Sequence, residues 1–89
     1  MKDQVQETLG LSGLKNGESA MVLRIGVEGR TKRRLVEMGL TPGTIITISK
    51  RAPLGDPIEI SLRGYELTLR EEDARQIQVV RSGKGAGRS

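Results

Sequence analysis

Cysteine and histidine are both absent from this 89-residue chain. Without cysteine there can be no disulfide and no thiol nucleophile. Without histidine, the chain lacks the side chain that most often acts as a general base near neutral pH. These two residue types are also ligands that iron, zinc and copper favour in proteins. We therefore expect no enzyme activity, no catalytic residue, no metal site and no cofactor.

Aromatic side chains are nearly absent as well, since the chain has no Phe or Trp and a single Tyr, Tyr65. One aromatic residue cannot form the stacking platform on which single-stranded nucleic acids bind. The core must then be aliphatic, and ten Leu, seven Ile and six Val residues suffice for a small one. No apolar run approaches the roughly 18–20 residues that cross a bilayer, and the polar N-terminus lacks a signal-peptide segment. These features predict one small cytoplasmic domain.

Positive charge exceeds negative charge by four over the whole chain. Residues 8–80 hold eleven Lys/Arg and nine Asp/Glu, and the tail after Val80 adds Arg81, Lys84 and Arg88. Because the tail is rich in Gly and Ser, we expect residues 82–89 to be a disordered basic segment. We expect residues 1–8 to be flexible and residues 9–81 to form the folded domain.

Strand signals recur at short intervals along the chain. They cover residues 19–25, 44–48 and 58–62, the region around Leu67 and Leu69, and Ile77 with Val79. In the first of these strands we expect one face to carry Met21, Leu23 and Ile25. About five short strands, with turn signals every eight to twelve residues or so, predict a mainly β fold: a small closed or nearly closed barrel.

One short helix is predicted after the first strand, over Arg30 to Met38. Its core-facing residues recur at helical spacing: Thr31, Leu35 and Met38. Gly39 stands where a helix commonly ends in a left-handed residue, and Leu40 is the apolar residue that often completes such an end. The helix is therefore amphipathic, inserted into the barrel, and stopped at a definite position.

Glycine and proline mark the corners between these elements. Thr41-Pro42-Gly43-Thr44 fits a type II turn, because Pro fixes φ at the second position and Gly supplies a positive φ at the third. Arg63-Gly64-Tyr65-Glu66 predicts a hairpin turn. We expect structural roles for the residues at the corners: Gly39, Pro42, Gly43, Gly55, Pro57 and Gly64.

Three charged groups have both a structural and a functional interpretation. Lys32-Arg33-Arg34 is the densest basic run, but on a helix its side chains spread over about 200°, which favours a solvated face over an anion clamp. The acids at 71–73 suit the first turn of a short helix, with a carboxylate site as the alternative. Asp56 is expected to accept hydrogen bonds from the backbone amides of its loop, with contact to a partner or a cation as the alternative.

Three motifs in a fixed order resemble the FeoA family, the small cytosolic component of bacterial ferrous-iron uptake systems. The similarity runs from about Leu11 to Val79. Its most specific parts are Arg34-Leu35-Val36-Glu37-Met38-Gly39-Leu40-Thr41-Pro42-Gly43, Ala52-Pro53-Leu54-Gly55-Asp56-Pro57 and Arg63-Gly64-Tyr65-Glu66-Leu67-Thr68-Leu69-Arg70.

The resemblance implies an SH3-like barrel and a protein partner. That partner is FeoB, the membrane protein that carries ferrous iron and has a cytosolic guanine-nucleotide-hydrolysing domain. The chain would be an accessory or regulatory subunit that binds the cytosolic part of this transporter and meets the membrane only through it. A small basic nucleic-acid-binding barrel is the main alternative, although we expect no nucleic-acid partner; a metal-sensing domain is another. An edge strand of such a barrel could also pair with a second copy of the chain, which would give weak self-association.

Leu54 is the best candidate for a partner-binding residue. It lies between Pro53 and Gly55, outside every alternating pattern, so the barrel has no evident reason to bury it. The prolines stiffen its loop, which lowers the entropy lost on docking. Neighbouring charges that could orient a partner complete the candidate set: Arg33, Arg34, Arg51 and Asp56. The alternative is that Leu54 covers one end of the barrel.

Overall fold

The computed structural model describes residues 8–81, which form six strands, two α-helices and one 3-10 turn. We expect residues 1–8 to be flexible and residues 82–89 to be disordered; of these, residues 1–7 and 82–89 lie outside the described residues, whereas Thr8 belongs to a strand. In chain order the elements are β1 (Thr8–Gly10), a 3-10 turn (Leu11–Gly13), β2 (Ser19–Ile25), α1 (Gly29–Glu37), β3 (Ile45–Arg51), β4 (Ile58–Leu62), β5 (Tyr65–Leu69), α2 (Glu71–Ala74) and β6 (Ile77–Arg81).

The strands form a single antiparallel sheet in the order β1-β6-β2-β3-β4-β5. The sheet is barrel-like but not closed, since β1 and β5 are its two edges in the described part of the chain. This confirms the mainly β prediction. The sequence did not indicate β1, whose three residues pair with β6 and are too few to show an alternating pattern. Neither described helix is long and apolar enough to cross a membrane.

The core is aliphatic, as the composition predicts. The inward faces of the strands alternate with polar outward residues, most regularly in β4 and β5. The two hairpin strands together bury Ile58, Ile60, Leu62, Leu67 and Leu69. Helix α1 contributes Leu35, and the turn after it contributes Leu40; both are fully buried. The helix therefore covers part of the barrel core with one face and leaves the other face in solvent.

Strand β2 departs from the predicted alternation. Ala20 and Val22 face the core, but pairing with β6 shifts register between Val22 and Arg24. This irregularity places Ile25 in the core while Leu23 stays exposed, so Met21, Leu23 and Ile25 do not form one face. The prediction of a shared face is wrong because an irregular residue in a strand reverses the alternation beyond it.

Helix α1 ends as its sequence indicates. Gly39 has φ +95°; its N–H donates to the Val36 carbonyl at 2.9 Å, and the Leu40 N–H donates to the Leu35 carbonyl at 2.9 Å. These two bonds with a left-handed glycine are the Schellman arrangement, and the buried pair of Leu35 and Leu40 supplies its apolar contact. The positive φ predicted for Gly39 is confirmed.

A polar contact network attaches this helix end to the barrel. The Gly39 carbonyl accepts from the Thr44 hydroxyl at 3.1 Å and from Arg63 Nε at 3.3 Å, and Arg63 Nη2 lies 3.2 Å from Thr44 Oγ1. Thr44 is the last residue of the predicted type II turn, whose Gly43 has φ +95° and whose closing bond joins the Thr44 N–H to the Thr41 carbonyl at 3.0 Å. The end of α1 is thereby fixed beside the β4–β5 hairpin turn.

Candidate partner-binding surfaces

The loop between β3 and β4 holds its apolar residue away from the protein. The Gly55 N–H donates to the Ala52 carbonyl at 2.7 Å, and the Ala52 N–H donates to the Pro57 carbonyl at 3.0 Å. Gly55 has the positive φ, +91°, that such a tight turn requires. At the tip, the Leu54 side chain is 96% exposed. Leu54 therefore does not cover the barrel end, and the loop presents it to solvent.

Asp56 connects this loop to the start of α2. Its carboxylate accepts from Arg70 Nε at 3.2 Å, from Arg70 Nη2 at 3.3 Å and from the Glu71 N–H at 3.0 Å. The Arg70 guanidinium and then the Glu71 amide hold the pKa of this carboxyl below its usual value. Asp56 thus bonds a backbone amide as expected, but the amide belongs to α2 rather than to the loop.

Arg51 also makes structural bonds beside the loop. Its Nη2 donates to the carbonyls of Ser12 and Leu14, the latter at 2.7 Å. These contacts join the end of β3 to the 3-10 turn and to Leu14, the residue after it, 37–39 positions away in sequence. The Arg51 guanidinium is thus occupied by backbone carbonyls, whereas Leu54 is the side chain that the loop exposes most fully.

Arg33 and Arg34 lie on a different part of the molecule. They are exposed in the second half of α1, and Arg34 Nη1 contacts the Met38 sulfur at 3.7 Å. The end of α1 lies against Arg63, which follows β4, whereas the Leu54 loop precedes β4. Five strand residues span about 16 Å. The structure therefore does not bring the two arginines together with Leu54.

Sequence reasoning missed a groove between β2 and α1 that is lined by both apolar and charged side chains. Its lining includes Leu23, Val36 and Pro42, with Arg24 and Lys32 beside them. The Leu23 and Val36 side chains are 39% and 41% exposed. Periodicity could not have found this groove, because the β2 irregularity that leaves Leu23 exposed is not visible in the sequence. The one sequence signal for the groove was Val36, an apolar residue that lies away from the apolar face of α1.

The acidic residues at 71–73 form the first turn of α2, which confirms the predicted helix start. Glu71 Oε1 accepts from Arg75 Nη2 at 2.6 Å, an ion pair one turn along the helix. Within residues 8–81, no cluster of three or more acidic, His or Cys side chains could hold a metal ion.

Comparison with known proteins places these features in a family. The model of the FeoA domain matches residues 9–81. A fusion of Fe(2+) transport protein A with the Fe(2+) transporter FeoB, from Porphyromonas gingivalis, is 39% identical over 69 residues; the match covers 78% of this chain and 8% of that relative.

Solved structures agree with the family assignment. FeoA from Chlorobium tepidum is 39% identical with a TM-score of 0.80, over 83% of this chain and 70% of that one. A zinc complex of FeoA from Stenotrophomonas maltophilia, described as a prokaryotic SH3 domain protein, is 25% identical with a TM-score of 0.68, over 80% and 88%. The fold is thus SH3-like, and the chain belongs to the FeoA domain family.

Proposed function

We propose that this protein is a non-catalytic accessory subunit of ferrous-iron uptake that binds the cytosolic part of a FeoB-type transporter. The observation that carries the proposal is the fusion relative, in which a similar domain and such a transporter share one polypeptide. Fusion raises the effective concentration of one domain near the other. Where the two are not fused, a binding surface between them is needed to achieve the same proximity.

The Leu54 loop is the surface we propose for this contact. Leu54 is the most exposed of the large apolar side chains in residues 8–81, and the polar contacts of Asp56 hold the loop base against α2. A preordered loop loses little conformational entropy on binding. Burying one Leu side chain contributes about 1.5–3 kcal/mol, which corresponds to roughly tenfold or more in affinity.

The test is binding of the purified full chain to the transporter's cytosolic region by calorimetry. We expect Leu54→Glu to weaken binding at least about tenfold while the melting temperature stays near that of the wild type, because the side chain contacts solvent in the free protein. Ile45→Glu, which changes another exposed apolar residue to the same acid, is the matched control.

Normal binding by Leu54→Glu would place the contact elsewhere, and absence of binding by the wild type would overturn the function itself. The alternative function, a nucleic-acid-binding barrel, predicts instead that the wild type binds nonspecific duplex DNA with a steep dependence on salt concentration.

A further inference from the structure

The positive charge of the described chain is concentrated in one segment. Residues 24–37 contain five Lys/Arg and two Asp/Glu, whereas the remainder of 8–81 contains seven of each. The whole excess over the described residues thus lies on the end of β2, on α1 and on the connection between them. The cations are all exposed: Arg24, Arg30, Lys32, Arg33 and Arg34.

These cations are not neutralised by the acids of the barrel. The ion pairs among the described residues join Asp56 to Arg70, Glu71 to Arg75 and Glu18 to Arg81, all outside residues 24–37. Within the segment, Glu28 and Glu37 are the only acids. A surface with unbalanced charge of one sign favours association with the opposite sign.

The same segment borders the groove between β2 and α1. Leu23, Val36 and Pro42 provide apolar surface in the groove, and Arg24 and Lys32 are among its lining residues. Lys32 and Val36 are one helical turn apart and therefore lie on the same side of α1. The groove thus combines apolar contact area with nearby positive charge on both elements that form it.

We propose that this groove binds an acidic segment of the transporter's cytosolic region, an inference that rests on the proposed function for the identity of the partner. An aliphatic side chain of that segment contacts Leu23 and Val36, and flanking carboxylates contact Arg24 and Lys32. The apolar part of the lining favours a peptide over phosphate-rich ligands, which gain little from contact with Leu and Val. Glu28, also in the lining, further disfavours a ligand with uniform negative charge.

The experiment measures binding of the full chain to the cytosolic region at low and high salt. The double variant Arg24→Gln/Lys32→Gln removes two charges at the groove, and Lys15→Gln/Lys50→Gln removes two exposed charges elsewhere as the matched control. We expect the groove variant to bind at least about tenfold more weakly and with a shallower salt dependence. The control should bind like the wild type.

A second pair of variants tests the apolar contact. Val36→Thr replaces a methyl group with a hydroxyl in the groove, and Ile45→Thr, which replaces an ethyl group with a hydroxyl, is a stronger change at an exposed residue outside it. We expect weaker binding for the first and unchanged binding for the second.

The outcomes separate this inference from the proposed function. Wild-type binding that neither groove variant weakens overturns the groove but leaves the function standing. No wild-type binding overturns both. Equal or tighter binding to duplex DNA or to phosphatidylglycerol vesicles, lost in the Arg24→Gln/Lys32→Gln variant, overturns the acidic peptide as occupant.

Discussion

At the scale of single residues, Gly39 shows that a helix end and its contact with a distant hairpin turn can both depend on the absence of one Cβ atom. Its φ of +95° disfavours any side chain, and a Cβ there would lie 3.1 Å from both Arg63 Cδ and the Tyr65 hydroxyl. Those neighbours belong to the hairpin turn that anchors the end of α1. The glycine therefore serves both the helix end and its attachment to the barrel.

We expect Gly39→Val to lower the free energy of unfolding by about 1–2 kcal/mol or more, because a β-branched residue is strained at positive φ. Chemical denaturation measures the change. Gly17→Val is the matched control, since Gly17 has φ +88° but no atom within 4 Å of its Cβ position. A larger loss for Gly39→Val than for the control isolates the crowding by Arg63 and Tyr65. Unchanged stability would contradict the observed helix end.

The second prediction at the scale of residues concerns Asp56 and the dependence of stability on pH. Its pKa is lowered in the folded protein by the Arg70 guanidinium and the Glu71 amide, relative to an ordinary value of 3.8. The unfolded chain therefore binds the proton more readily, so the stabilisation is complete above that ordinary value and is lost as the pH falls through the folded pKa.

We expect wild type to be more stable than Asp56→Asn at pH 6, and the difference to shrink once the pH falls below about 4. Urea denaturation across this range measures it. Glu37→Gln, which removes an exposed acid that forms no ion pair within residues 8–81, should show a smaller dependence on pH. A constant difference between wild type and Asp56→Asn at every pH would show that the carboxylate charge is not what holds the loop.

At the scale of elements, the predictable features are those encoded by neighbouring residues. The alternation of β4, the type II turn at Pro42 and Gly43 and the end of α1 at Gly39 all depend on a few consecutive positions. The irregularity in β2 and the pairing of β1 with β6 depend on partner strands far away in sequence. No local pattern could reveal them.

The features of the candidate surfaces also differ in whether the sequence could predict them. The exposure of Leu54 could be predicted because it falls outside every alternating pattern, and the structure confirms that it is solvent-exposed. The contacts of Arg51 with Ser12 and Leu14 and of Asp56 with Arg70 and Glu71 could not, since each joins residues at least fourteen positions apart. The groove beside α1 required the packed helix and strand together.

At the scale of the whole molecule, the two proposed surfaces lie at opposite ends of β3. Pro42 of the groove precedes this strand and Leu54 follows it, and seven strand residues span on the order of 20 Å. A partner that contacts both ends would hold the barrel in one orientation. Such an arrangement would suit the accessory role proposed above.

The acidic side chains of the domain are its candidate ligands for ferrous iron. Hard oxygen ligands hold a ferrous ion tightly only when several converge. Asp56, Glu71 and Glu18 each bond an arginine, and no cluster of three or more ligating side chains occurs in residues 8–81.

We predict that the full chain has no stoichiometric ferrous site of micromolar or tighter affinity. Anaerobic calorimetry of the wild type with ferrous iron should give only weak heats of binding. The variant Glu72→Gln/Asp73→Asn, which neutralises the two acids next to Glu71, should give heats that are no smaller. A weak ion bridging molecules in a crystal lattice is compatible with this expectation. A saturable one-to-one site, abolished by that double variant, would show instead that the first turn of α2 binds the metal directly.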